Sequence, residues 1–275
     1  MKTILVATDY SKAASNALQY AIELAKFSKA KLVLFHAYDI PVPVTEFPAV
    51  IPVAIHELEE ENRKAITTLE NKIRRQAAGK FKVESYISSG LPVQEILGII
   101  KKQKADLVVT GIRGAGKVSE ALIGSTATSV MKKTHVPVLA VPLKSKFKKS
   151  NKIVLAYDYQ KIIKPGVIKH IKEFARLFNA RLLVLNVVKL YEEPGYYKAS
   201  ALVKLKGALK GIKHDFFFPS SENITQEINL FIKKQKAGML VMMPHKHDVL
   251  EKLFYPSNTR HMAFNTDVPL LSLHD

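Results

Sequence analysis

Residues suited to hold a phosphate crowd into one stretch, Leu107 to Thr126, LVVTGIRGAGKVSEALIGST. An apolar run, Leu107-Val108-Val109, has the character of a buried parallel strand. It breaks into Gly111-Ile112-Arg113-Gly114, and the stretch closes on Gly124-Ser125-Thr126. Glycines where a strand gives way to a helix let backbone N–H groups approach an anion, and a helix opening at Ser125 aims its dipole at the same place. The spacing from Gly111 to Lys117 also imitates a P-loop. The next residue, however, is Val118, where Mg²⁺ binding needs Ser or Thr, and a P-loop normally follows the first strand. The reading that survives is Gly-x2-Gly-x9-Gly-Ser, met without a gap by Gly111, Gly114, Gly124 and Ser125.

The elements that must position this cradle alternate between strand and helix. Thr3 to Thr8 reads as a buried strand ended by Asp9-Tyr10-Ser11, with Ser11 a plausible helix cap. Apolar residues then recur at helical spacing (Ala14, Leu18, Ala21, Ile22, Ala25), and Lys31 to Ala37 forms a second strand. Strand, helix and strand at this spacing imply a parallel sheet. The proline-rich segment Asp39–Val53 reads as an extended loop. A long amphipathic helix follows, ending at Gly79, then a strand over Phe81–Ile87, a helix over Val93–Lys102 and a strand over Leu107–Thr110. After the helix from Ser125, prolines bracket the run Val136–Pro142, which reads as an edge strand.

The pattern then restarts. Leu143–Lys152 is basic and polar and reads as a linker. Ile153 to Tyr159 repeats Ile4 to Tyr10, and Ala180 to Val187 repeats Ala30 to Ala37. Lys233-Lys234-Gln235-Lys236-Ala237 is identical to Lys101-Lys102-Gln103-Lys104-Ala105, 132 positions earlier. Matches in the same order imply a duplicated domain, with repeats at 1–143 and 151–275. The second copy is shorter mainly because it lacks the proline-rich loop. At the cradle the same offset turns Gly111, Gly114 and Gly124 into Met243, Lys246 and Pro256. Side chains there oppose close approach and Pro256 removes an N–H, so the second copy is expected to lack the phosphate loop while keeping Asp158, which matches Asp9 in the repeat.

At this point the chain resembles the universal stress protein family over both halves. The residues that carry it are Ile4-Leu5-Val6-Ala7-Thr8-Asp9-Tyr10-Ser11, the strand ending in His36-Ala37, Gly111 to Gly114, Gly124-Ser125-Thr126 and Val136-Pro137-Val138-Leu139. The resemblance implies an α/β fold: two tandem Rossmann-like domains, each a five-stranded parallel sheet flanked by helices, paired as a pseudo-dimer. Single-domain relatives resemble dimers joined through the last strand. It also implies about one ATP per chain, with Mg²⁺, held in the first repeat by Thr8, Asp9, Ala37, Gly111, Arg113, Gly114, Gly124, Ser125 and Thr126. Strands one and four would be neighbours, the switch point at which open α/β sheets bind ligands.

Several residues keep a plainer alternative. Asp9 also reads as a carboxylate capping the helix after it, and Arg113 equally as a phosphate partner or a solvent-facing cation. His36 reads as a hydrogen-bonded structural histidine rather than an acid or base. His245, His247 and Asp248, with His261 and His274 elsewhere in the repeat, fix no metal geometry, so no metal site is assigned. Tyr191–Tyr197, with Pro194-Gly195, reads as a loop.

Whole-chain properties narrow the function. There is no cysteine, hence no disulfide or thiolate chemistry. No apolar run reaches the ~20 residues of a membrane span, and the opening run is too short for a signal peptide, so a cytoplasmic, soluble protein is expected. The net charge is +18. Without interleaved aromatics the lysine pairs read as solvated helix faces rather than as a nucleic-acid partner. No catalytic residue is assigned: no base is placed to activate water, and the first strand lacks the glycines of adenylating PP-loop enzymes. A nucleotide-dependent regulatory protein with an unidentified protein partner is therefore expected. The alternatives are a slow ATPase, an adenylate-transferring enzyme or a nucleotide-free scaffold. Further homo-oligomerisation stays open.

Overall fold

The computed structural model describes residues 1–40, 51–112, 125–158, 163–188, 196–243 and 268–274, with side chains at 51–54 and 196–199 excepted. The first repeat runs β1 (Thr3–Ala7), α1 (Lys12–Ser28), β2 (Lys31–Tyr38), α2 (Ile51–Ala77), β3 (Val83–Ser89), α3 (Pro92–Lys102), β4 (Leu107–Ile112), α4 (Ser125–Lys133) and β5 (Val138–Pro142). The second runs β6 (Lys152–Ala156), α5 (Pro165–Phe178), β7 (Arg181–Leu185), α6 (Tyr196–Ala208), β8 (His214–Phe217), α7 (Ile224–Gln235), β9 (Leu240–Met242) and β10 (Leu270–Ser272).

Among the described residues ten strands form one sheet, in the order β3-β2-β1-β4-β5-β10-β9-β6-β7-β8. Within each repeat the strands are parallel and the order is the same. β1 lies beside β4 and β6 beside β9, through Val6↔Val109 and Leu155↔Val241. Helices cover both faces, as near-continuously apolar parallel strands require. One core gathers α1, α2, α5 and α6 against residues such as Ile4, Leu34 and Leu155. The other gathers α3, α4 and α7 against Leu5, Val33 and Leu240.

The edge strand expected at Val136–Pro142 is interior. β5 pairs with β4 on one side and, antiparallel, with β10 on the other, through Leu270↔Ala140, Leu271↔Leu139 and Ser272↔Val138. Each repeat's exposed edge is thus sealed by the other, which removes a surface prone to aggregation and makes the halves a pseudo-dimer. Leu139 and Leu271 are fully buried at this seam, each contributing about 1.5–3 kcal/mol of apolar burial. Ser272 also faces the seam, 2% exposed, and its hydroxyl lacks a hydrogen-bond partner.

Leu143–Lys152, read as a polar linker, is a packed strap. Asn16 of α1 donates to the Pro142 carbonyl at 2.8 Å and to the Ser145 carbonyl at 3.0 Å. Phe147 then enters an aromatic cluster with Tyr20 (5.3 Å between centroids), Phe27 (5.8 Å) and Phe178 (6.2 Å), and Phe27 stacks on Phe178 at 5.5 Å. α1 and α5 are therefore joined across the repeats by rings from both. The surrounding lysines masked this in the sequence, because one phenylalanine carries no periodicity. Tyr196 and Tyr197, assigned above to a loop, open α6.

Candidate functional site

The crevice forms where β1 and β4 end side by side. β1 finishes at Ala7, and the chain turns through Thr8, Asp9, Tyr10 and Ser11 before α1 begins. Local hydrogen bonds build that turn. Ser11 N–H donates to Asp9 Oδ1 at 3.0 Å, Tyr10 N–H to Thr8 Oγ1 at 3.1 Å, and Ala14 N–H to Ser11 Oγ at 3.2 Å. Tyr10 sits in the left-handed region at φ 58°. Ser11, not Asp9, is the N-cap of α1; Asp9 accepts the Ser11 N–H in the turn before the helix and is exposed.

The turn is anchored to the second strand. Thr8 N–H donates to the Phe35 carbonyl at 2.9 Å, and His36 Nδ1–H donates to the Thr8 carbonyl at 2.8 Å. His36 Nε2 meets Asn62 Oδ1 of α2 at 3.1 Å, with the Asn62 amide held by its own donation to the Leu58 carbonyl at 2.8 Å. Tyr10 packs its ring on His36 at 4.6 Å, and burial raises its phenol pKa. His36 is hydrogen-bonded as expected. Tyr10 and Asn62 were not singled out; Asn62 follows no motif, and only the packing of α2 on β2 brings it here. The pairing Ala7↔Phe35 sets Asp9 level with Ala37, which is half-buried and pairs with Ser88 of β3.

Across the crevice, Gly111 sits near the end of β4, two residues past Val109, as Thr8 sits two past Val6. A Cβ on Gly111 would collide with the Ala13 carbonyl, lying 2.5 Å from its carbon and 3.0 Å from Ala14 N. The glycine is therefore required because the first turn of α1 lies against β4. This is a packing reason that the phosphate-cradle reading did not anticipate. Ser125, exposed, and Thr126, half-buried, open α4, which packs on β4 and β5 with its N-terminus at the crevice end of the strands. Arg113, Gly114 and Gly124 lie outside the described residues.

The second repeat shows what the fold needs without the cradle. Tyr157 N–H donates to the Leu185 carbonyl at 2.9 Å and Asn186 Nδ2 donates to the Tyr157 carbonyl at 2.8 Å, reproducing the Thr8–Phe35 and His36–Thr8 bonds. Where Gly111 admits α1, Met243 is 9% exposed and packs into the core. α5 correspondingly starts nine residues after β6 ends, against five for α1 after β1. Met243 is thus a core residue of the second repeat. Lys246 and Pro256 lie outside the described residues, as do His245, His247, Asp248 and His261. His274 packs its ring on His135 at 5.7 Å.

A sequence profile described as the universal stress protein family matches residues 1–142. The chain belongs to the universal stress protein family. A universal stress protein of Methanocaldococcus jannaschii is 32% identical over 143 residues, covering 51% of this chain and 81% of that one. The Bacillus subtilis universal stress protein YxiE is 29% identical over 143 residues, covering 50% and 97%. A solved universal stress protein from Archaeoglobus fulgidus superposes with a TM-score of 0.73 at 21% identity, over 99% of this chain and 98% of that one. That likeness concerns the fold, and it extends over both repeats of this universal stress protein.

Proposed function

We propose that this universal stress protein binds one ATP, with Mg²⁺, in the crevice of its first repeat and acts as a nucleotide-dependent regulatory protein of the stress response. The observation that carries the reading is the pairing of β1 with β4, which sets the Asp9 turn beside the start of the glycine cradle at a topological switch point. In this reading the ribose and adenine side of the nucleotide meets Thr8 and Asp9 and the backbone near Ala37. Gly111, Arg113, Gly114, Gly124, Ser125 and Thr126 hold ribose and phosphates. Bound ATP would supply the polyphosphate charge; the chain's own residues would supply N–H donors and orientation.

Among the described residues no helix is long and apolar enough to cross a membrane, and a cytoplasmic location goes with the proposal. Calorimetry with ATP and Mg²⁺ tests it. One tight site is expected, weakened at least tenfold by Gly114→Val, which is about 1.4 kcal/mol, and kept in Asp158→Ala. Two sites of equal affinity, or one that survives Gly114→Val and vanishes in Asp158→Ala, would overturn the assignment. No heat and no thermal stabilisation with ATP would favour a nucleotide-free scaffold.

A further inference from the structure

In a parallel sheet each helix returns against the strand direction, so helix C-termini and strand starts share one rim. In the first repeat that rim collects cations. Lys2 and Lys82 immediately precede β1 and β3, and Lys31 begins β2. They are stitched side by side: Lys31 N–H donates to the Lys2 carbonyl and Leu32 N–H to the Lys82 carbonyl, both at 2.8 Å. Neighbouring strands lie about 4.8 Å apart, which sets a short, regular pitch for these positive charges. Lys102 and Lys104 close α3 on the same rim, and Lys29 closes α1. All but Lys31 are exposed. Acidic residues offset only part of this: Glu84 pairs with Lys31 at 3.0 Å, and Asp106 accepts the Lys2 and Thr3 N–H groups. Complementing a helix dipole explains Lys102. It does not explain Lys2, Lys82 or Lys104, which lie outside the helices.

The second repeat has the same device. Lys152, Arg181 and Lys213 begin or precede β6, β7 and β8, and Leu182 N–H donates to the Lys213 carbonyl at 2.8 Å. Arg181 pairs with Asp215 at 2.9 Å. Because β5 and β10 meet antiparallel, the two rims face opposite ends of the molecule.

We propose that each rim binds the phosphate backbone of a nucleic acid without reading its base sequence. The three adjacent strand starts that carry cations in the first repeat, those of β3, β2 and β1, span two gaps, about 10 Å, matching about three base pairs at 3.4 Å each. The large exposed apolar side chains among the described residues are Tyr10, Leu91, Leu143, Val203, Phe218 and Leu230. None is at a strand start or helix C-terminus in the rims, so the described residues of the rims offer no large exposed apolar side chain for base stacking or membrane insertion. Two basic faces at opposite ends cannot lie on one bilayer, but they can engage two duplex segments.

The test titrates the full chain with a fluorescent 12-base-pair DNA duplex at 50–200 mM KCl. Two duplexes per chain are expected, with log Kd rising linearly with log salt. Lys2→Ala/Lys82→Ala/Lys102→Ala should weaken one site at least tenfold at 100 mM and leave the other. The charge-matched variant Lys64→Ala/Lys169→Ala/Lys172→Ala, altered on helix bodies, should keep both. Equal loss in the two variants would mean diffuse attraction and overturn the rim assignment. So would absence of binding at 50 mM, or capture by phosphatidylserine vesicles with no DNA binding.

Discussion

Replacing Gly111 with alanine isolates the contact that joins the candidate site to the fold. The new methyl would lie 2.5 Å from the Ala13 carbonyl carbon, whereas ordinary contact begins near 3.4 Å, so the start of α1 must retreat by about 0.9 Å. The opposing atoms are backbone, so no side chain can rotate away. Overpacking of this kind costs about 1–3 kcal/mol, and the upper end applies where backbone must move. At about 2–4 °C per kcal/mol for domains of this size, Tm should fall by about 6–12 °C. The displaced turn carries Ser11 and, through it, Asp9, so ATP affinity should fall at least tenfold as well. Gly98→Ala in α3 is the control. Nothing lies within 4 Å of its new methyl, and it should stabilise by up to about 1 kcal/mol. Scanning calorimetry and ATP titration on the same preparations give both readouts. A Gly111→Ala protein with unchanged Tm and unchanged ATP affinity would refute the argument that α1 must seat on this glycine.

Three further outcomes are expected. Phe147→Ala removes the strap's ring from the cluster of Tyr20, Phe27 and Phe178. Because Phe147 is only half-buried, the loss should be about 2 kcal/mol rather than the 3–5 of a fully buried phenylalanine; a urea midpoint equal to wild type would show the cluster to be incidental. Ser272→Ala should raise stability by about 1 kcal/mol by removing an unpaired buried hydroxyl, and a destabilised variant would reveal a partner for it. Burial raises the phenols of Tyr20 and Tyr157, Tyr157 to about 12 with the Asp158 charge contributing. Unfolded tyrosine ionises near 10, so the stability from keeping them neutral is whole below about pH 10 and is lost as pH rises toward about 12. The urea midpoint of Tyr20→Phe/Tyr157→Phe should therefore fall less steeply over that range, and parallel alkaline slopes would exclude the effect.

The sequence by itself determined the strand–helix alternation and the duplication. These are local signals: runs such as Leu107-Val108-Val109 have strand character in any context, Ser11 caps whatever helix follows, and a repeated pentapeptide needs no structure to be seen. Tertiary structure decided what depends on residues far apart in the chain. Val136–Pro142 looks like an edge because prolines flank it, and it becomes interior only because β10, some 130 residues later, covers it. Phe147 looks like a stray ring among lysines until α1 and α5 bring Phe27 and Phe178 to it. Gly111 reads as a phosphate glycine, yet its missing side chain makes room for Ala13, a neighbour that sequence spacing cannot reveal. Asn62 joins the site through His36 only because α2 packs on β2. The lysines, dispersed along the chain, share a rim because parallel strands place each helix C-terminus beside a strand start. Charge sums along a sequence, but where it acts is set by which ends of the elements the fold brings together.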